Sequence, residues 1–100
     1  MALETQEIVI TGSTTTEQAM INATSAVLVD SSDVDDVAMW EYIYETMSHI
    51  DQTRTFSNEN TLTVTREYDY DTHGVNIRAF YTIAQAAWEN AGYTVTITYT

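Results

Sequence analysis

Thr53-Arg54-Thr55-Phe56-Ser57, Asn58-Glu59-Asn60 and Thr61-Leu62-Thr63-Val64-Thr65-Arg66-Glu67-Tyr68-Asp69 form the stretch that decides the fold. In its longer arm Leu62, Val64, Arg66, Tyr68 and Tyr70 share one face, and Thr63, Thr65, Glu67 and Asp69 share the other. Successive side chains of a strand point to opposite faces, so this period of two predicts two strands. The polar turn between them, three to four residues long, makes the pair a hairpin.

On the C-terminal side the period changes. Ile77, Tyr81, Ala84, Ala87, Trp88 and Ala91 recur at helical spacing, and Arg78, Thr82, Gln85 and Glu89 mark the opposite side. Gly92 stands where a helix is expected to end on a left-handed residue. Thr94–Thr100 then alternates strictly, with Val95, Ile97 and Tyr99 on one face and threonines on the other.

On the N-terminal side Val37, Trp40, Ile43, Tyr44, Met47 and Ile50 form an apolar helical stripe. Asp33, Asp35 and Asp36 precede it and complement the helix dipole. Residues 15–28 read as a further helix: Thr14 and Glu17 have capping-box spacing, and Ala19, Met20, Ala23 and Val27 follow at roughly helical intervals. A strand over Ala26–Val29 competes with it, because Val27-Leu28-Val29 is β-rich. Ile8-Val9-Ile10, within Thr5–Thr11, reads as a central strand covered on both faces.

The order is strand, one or two helices, strand, strand, helix, strand. That is the split βαββαβ pattern. The expectation is one α+β domain over residues 1–100, a four-stranded antiparallel sheet with helices on one face in ferredoxin-like order. The first and last strands are expected in the middle of the sheet.

Composition narrows the function. The chain has 100 residues, fifteen acids, three arginines and a formal net charge of −12, with no lysine, cysteine or proline. Without cysteine there is no disulfide framework, thiolate metal site or cysteine nucleophile. No apolar run is long enough for a membrane helix, and the acidic start Met1-Ala2-Leu3-Glu4 shows no secretory signal. The charge repels a phosphate backbone, so no nucleic-acid partner is expected. A lysine-free, densely acidic chain suits concentrated salt, where a Debye length of about 3 Å at 1 M screens self-repulsion. The origin expected is therefore halophilic.

Several groups invite a chemical reading. Asp69, Asp71 and His73 lie two residues apart and would share one side if extended, a candidate divalent-metal trio. The competing reading is a solvated loop with Asp71 or Thr72 capping the next helix. Asp30, Asp33, Asp35 and Asp36 are too irregular for a calcium loop. Glu45, His49 and Asp51 lack a nucleophile, and Ser13 lacks the G-x-S-x-G setting. No cofactor is expected.

The remaining signal is aromatic. Tyr42, Tyr68 and Tyr70 exceed what one small core can bury, and exposed tyrosines favour protein interfaces. With Arg66 and Tyr99 they are the interface candidates. Arg66, on the apolar-side register of its strand, either pairs with a carboxylate such as Glu41 or Glu45 or an acid on another subunit, or snorkels at the sheet edge.

The expected function is a non-catalytic structural or interaction module that self-associates or joins other protein subunits. Its most concrete form is a virion protein of a haloarchaeal virus: a head–tail joining, tail-completion or capsid decoration subunit. The alternative is a ferredoxin-like regulatory or small-ligand-binding domain in the cytoplasm of a salt-accumulating archaeon. A metal-dependent enzyme built on Asp69, Asp71 and His73 ranks third.

Overall fold

A computed structural model describes residues 2–13, 15–29 and 50–100. The expected helix over Val37–Ile50 lies almost wholly outside these residues, as do Tyr42, Glu41, Glu45, His49 and the aspartates 30, 33, 35 and 36. The described elements are β1 (Leu3–Thr11), α1 (Glu17–Val29), β2 (Gln52–Ser57), β3 (Thr61–Asp69), a single π-helical turn (Tyr70–Gly74), α2 (Val75–Asn90) and β4 (Thr94–Tyr99).

All four strands pair antiparallel in the order β2-β3-β1-β4. The sheet is thus as expected in class and strand count, but β1 and β3 occupy its middle and β4 lies at an edge. The two central strands are the long ones, nine residues each against six for β2 and β4. Each long strand can therefore satisfy its backbone groups on both sides along most of its length.

Parity then sorts the side chains. Ile8 and Ile10 of β1, Leu62 and Val64 of β3 and Val95 of β4 are buried in one core. Met20 and Leu28 of α1 and Ile77, Phe80, Tyr81, Ala84 and Trp88 of α2 close it from above. Val9 lies on the other face and is half-buried, so among the described residues β1 is central yet covered on one face only.

Residues 17–29 are a helix, and the rival strand does not form. Its buried positions are Met20, Thr24 and Leu28, four residues apart, while Ala19 is exposed. The Thr16 hydroxyl caps it by accepting from the Ala19 N–H at 3.2 Å; Thr14 lies outside the described residues. The Trp88 indole donates to the Thr24 carbonyl at 2.9 Å, which ties α1 to α2.

The hairpin turns at Asn58 and Glu59, both with positive φ (55° and 60°). Left-handed residues at such a turn match the right-handed twist of the flanking strands. α2 ends as expected at Gly92, whose φ of 103° only glycine adopts freely. No helix among the described residues is long and apolar enough to cross a membrane.

Candidate functional site

The covered face of the sheet is apolar in one half only. Further along the same two central strands the same parity brings in Glu4 and Gln6 from β1 and Arg66 and Tyr68 from β3. All four are buried, Gln6 completely. β1 and β3 pair Glu4 with Tyr68 and Gln6 with Arg66, so these side chains start as direct cross-strand neighbours. The first turns of α2 lie over them and add Arg78 and Tyr81.

The hydrogen bonds form two connected sets. The Tyr68 hydroxyl donates to Glu4 Oε1. Arg78 donates to both carboxylate oxygens of Glu4, from Nε at 3.1 Å to Oε1 and from Nη2 to Oε2. This is a bidentate charge-assisted pair, the strong form of the contact. The second set centres on Arg66. Its Nη1 donates to Gln6 Oε1 and its Nη2 to Gln52 Oε1 at 2.8 Å. Gln6 in turn donates to the Tyr99 hydroxyl at 3.3 Å.

Aromatic faces complete the shell. The Arg66 guanidinium sits 5.1 Å from the centre of the Tyr81 ring. Arg78 lies 4.6 Å from Tyr99 and 5.2 Å from Tyr70. Each is within cation–π range. The Tyr70 ring packs directly on Gly74, where an added Cβ would lie 2.1 Å from a ring carbon. Gly74 therefore lets Tyr70 fold back beneath Arg78.

The electrostatics follow from these contacts. The Arg78 hydrogen bond holds the Glu4 carboxyl below the usual carboxylate range; burial opposes it and the Tyr68 hydroxyl adds to it. The Arg78 guanidinium is shifted up by the same bond. Burial pushes the Tyr68 phenol far up, and its bond to Glu4 pushes it further. Tyr81 is also raised by burial, with the Arg66 charge opposing. Glu4 is therefore an anion and the two phenols are neutral throughout the physiological range.

Arg66 is the exception in this arrangement. It is only 6% exposed, and its hydrogen-bond acceptors and ring neighbour among the described residues are all uncharged. Its Nε is buried without an acceptor among the described residues.

The sequence-derived candidates divide accordingly. Arg66 and Tyr68 are not surface residues; helical cover from α2 turns their side of β3 into an interior. Tyr70 is half-buried on Gly74, and Tyr99 is half-buried on the edge strand. Tyr42 lies outside the described residues. Asp69, Asp71 and His73 do not come together, and no group of three possible metal ligands occurs among the described residues. Extended backbone ends at Asp69, and the π-helical turn over Tyr70–Gly74 redirects Asp71 and His73. Asp69 itself caps that turn, accepting from the Thr72 hydroxyl at 2.8 Å and the Asp71 N–H at 3.2 Å. Those bonds, the Thr72 hydroxyl first, depress its carboxyl. The expected capping residues, Asp71 and Thr72, are donors to the cap.

Glu4, Gln6, Gln52 and Arg78 were not singled out by sequence. The signal lay in parity: Glu4 and Gln6 are in step with Ile8 and Ile10.

No protein-family profile matches the sequence, and no curated protein matches it. Among solved structures the chain is similar to a protein described as "De novo designed protein Foldit4". The match has 14% identity and a TM-score of 0.52, and it covers 99% of this chain and 97% of that one. At that identity the likeness concerns the fold alone.

Proposed function

We propose that this chain is a non-catalytic assembly subunit working in concentrated salt. One observation carries the reading. Two of its three arginines are engaged on the helix-covered face, Arg66 buried in it and Arg78 bound to buried Glu4, while the sheet's other face carries threonines and acids. Rows across that face read Ser57-Thr61-Thr11-Thr94, Thr55-Thr63-Val9-Thr96 and Thr53-Thr65-Glu7-Thr98. None of these side chains is buried. The face offers polar contact area without a cation, so approach of a like-charged partner requires screening.

The strand order, with β1 and β3 central and one helix in each described crossover, supports a ferredoxin-like arrangement. The most concrete setting is a structural component of a haloarchaeal virus, in the virion. Arg66 favours a second reading, a cytoplasmic domain that binds a small anion, because a buried guanidinium with no carboxylate partner among the described residues is costly.

Molar mass by light scattering at about 0.1 M and about 3 M salt tests the proposal, since salt removes only the repulsive part. An oligomer that forms or grows at high salt supports the assembly reading. A folded monomer at both concentrations defeats it and favours the anion-binding domain.

A further inference from the structure

The edge strand β4 has a free hydrogen-bonding side whose register is fixed by the pairing with β1. Thr5 and Thr100 exchange both backbone bonds, each at 2.9 Å. In an antiparallel ladder such pairs alternate with non-bonded ones. The cross-strand pairs Glu7–Thr98, Val9–Thr96 and Thr11–Thr94 are therefore the bonded positions, and Gln6–Tyr99, Ile8–Ile97 and Ile10–Val95 the open ones. The N–H and C=O groups of Val95, Ile97 and Tyr99 thus point off the sheet. The Val95 carbonyl accepts from the Gln85 side chain at 3.2 Å, in keeping with that direction. No described residue pairs with the backbone of Ile97 or Tyr99.

A bare edge is a template for another strand, and proteins usually blunt it with charge, proline or a bulge. Thr94–Thr100 carries none of these: it has no charged residue in a chain of net charge −12, no proline, and an unbroken one-to-one register with β1. The opposite edge, β2, carries the exposed Arg54.

We infer that β4 pairs antiparallel with β4 of a second copy about a two-fold axis at Ile97, joining the two sheets into one of eight strands. This rests on the assembly reading and names its contact. The register is self-complementary. Ile97 meets Ile97 of the other copy, and Val95 meets Tyr99, a β-branched–aromatic pair of the kind that stabilises sheets. On the other face Thr96 meets Thr98, and the threonine rows run on across the seam. No charged side chain of either β4 enters the pairing, so repulsion between the two acidic bodies is the opposing force and salt relieves it.

Two variants test the seam, and both use the full chain at about 3 M salt, where screening is strongest. Ile97→Pro removes an N–H that β1 does not use. It is expected to give the monomer mass with an unchanged far-ultraviolet circular dichroism spectrum. The second test uses the absence of cysteine. In the proposed register residues 96 and 98 form a non-bonded pair with Cα atoms about 4.5 Å apart, within disulfide reach. Mixing Thr96→Cys with Thr98→Cys under mild oxidation is expected to yield the mixed disulfide dimer, at least tenfold faster than either variant alone. An oligomer that survives Ile97→Pro, or a mixture that cross-links no faster than the separate variants, overturns the seam while leaving the assembly reading standing. A monomeric wild-type chain overturns both. If Ile97→Pro does not fold, the cross-linking rates decide.

Discussion

The two faces of one sheet follow opposite rules. On the covered face, Ile8, Ile10, Leu62 and Val64 pack under helices, and Glu4 and Gln6 bind Arg78 and Arg66. On the other face, threonines alternate with Glu7 and Glu67 and stay in contact with water. The comparison teaches where the scarce cations went. Two of the three, Arg66 and Arg78, engage buried polar groups of the covered face, Arg54 is exposed at the β2 edge, and the open face carries acids and no cation. Contact with solvent and cohesion of the fold are thus assigned to different faces of the same strands.

The sharpest contrast comes from apolar truncation. Ile8→Ala empties a fully enclosed site and is expected to cost about 4 kcal/mol. Val9→Ala, one residue away on the open face, should cost about 1 kcal/mol or less by urea unfolding. Equal losses would break the division between the faces.

Next in size is the polar end of the covered face. Glu4→Gln keeps the shape and removes the charge that Arg78 and Tyr68 bind, and should cost about 2 kcal/mol at pH 7. The Glu4 carboxyl is depressed below its ordinary value of 4.5. Its contribution is therefore complete above that pH and lost as pH falls through the folded-state value. The stability difference between wild type and Glu4→Gln should shrink steadily below about pH 4.5. A difference independent of pH would show that the charge contributes nothing.

The smallest effect is expected on the open face. Glu7 pairs with Thr65, and Glu67 lies two residues further along β3, so the two carboxylates are diagonal neighbours. Glu67→Arg should stabilise by about 0.5 kcal/mol at about 0.1 M salt and by almost nothing at molar salt.

The face assignments were largely legible in the sequence. Alternation in Thr61–Asp69 and Thr94–Thr100 and the helical spacing after Ile77 specify which side chains turn inward. Two things were not legible. Glu4 drew notice only as part of an acidic N-terminus, and Arg66 was placed on the apolar register without its partners, because alternation gives a side chain's direction but not what covers it. The edge position of β4 depends on how the crossovers run, a long-range property that no local period encodes. α1 was ambiguous because Val27-Leu28-Val29 is β-prone, and its buried stripe of Met20, Thr24 and Leu28 includes a threonine.

On the proposed reading, an outer surface depleted of cations makes the folded state depend on screening. The most direct test is the unfolding free energy of the wild-type chain in urea at pH 7, compared between about 0.1 M and about 3 M potassium chloride. Stability is expected to rise by at least about 2 kcal/mol with salt as self-repulsion is removed. A stability that is unchanged or falls would contradict it.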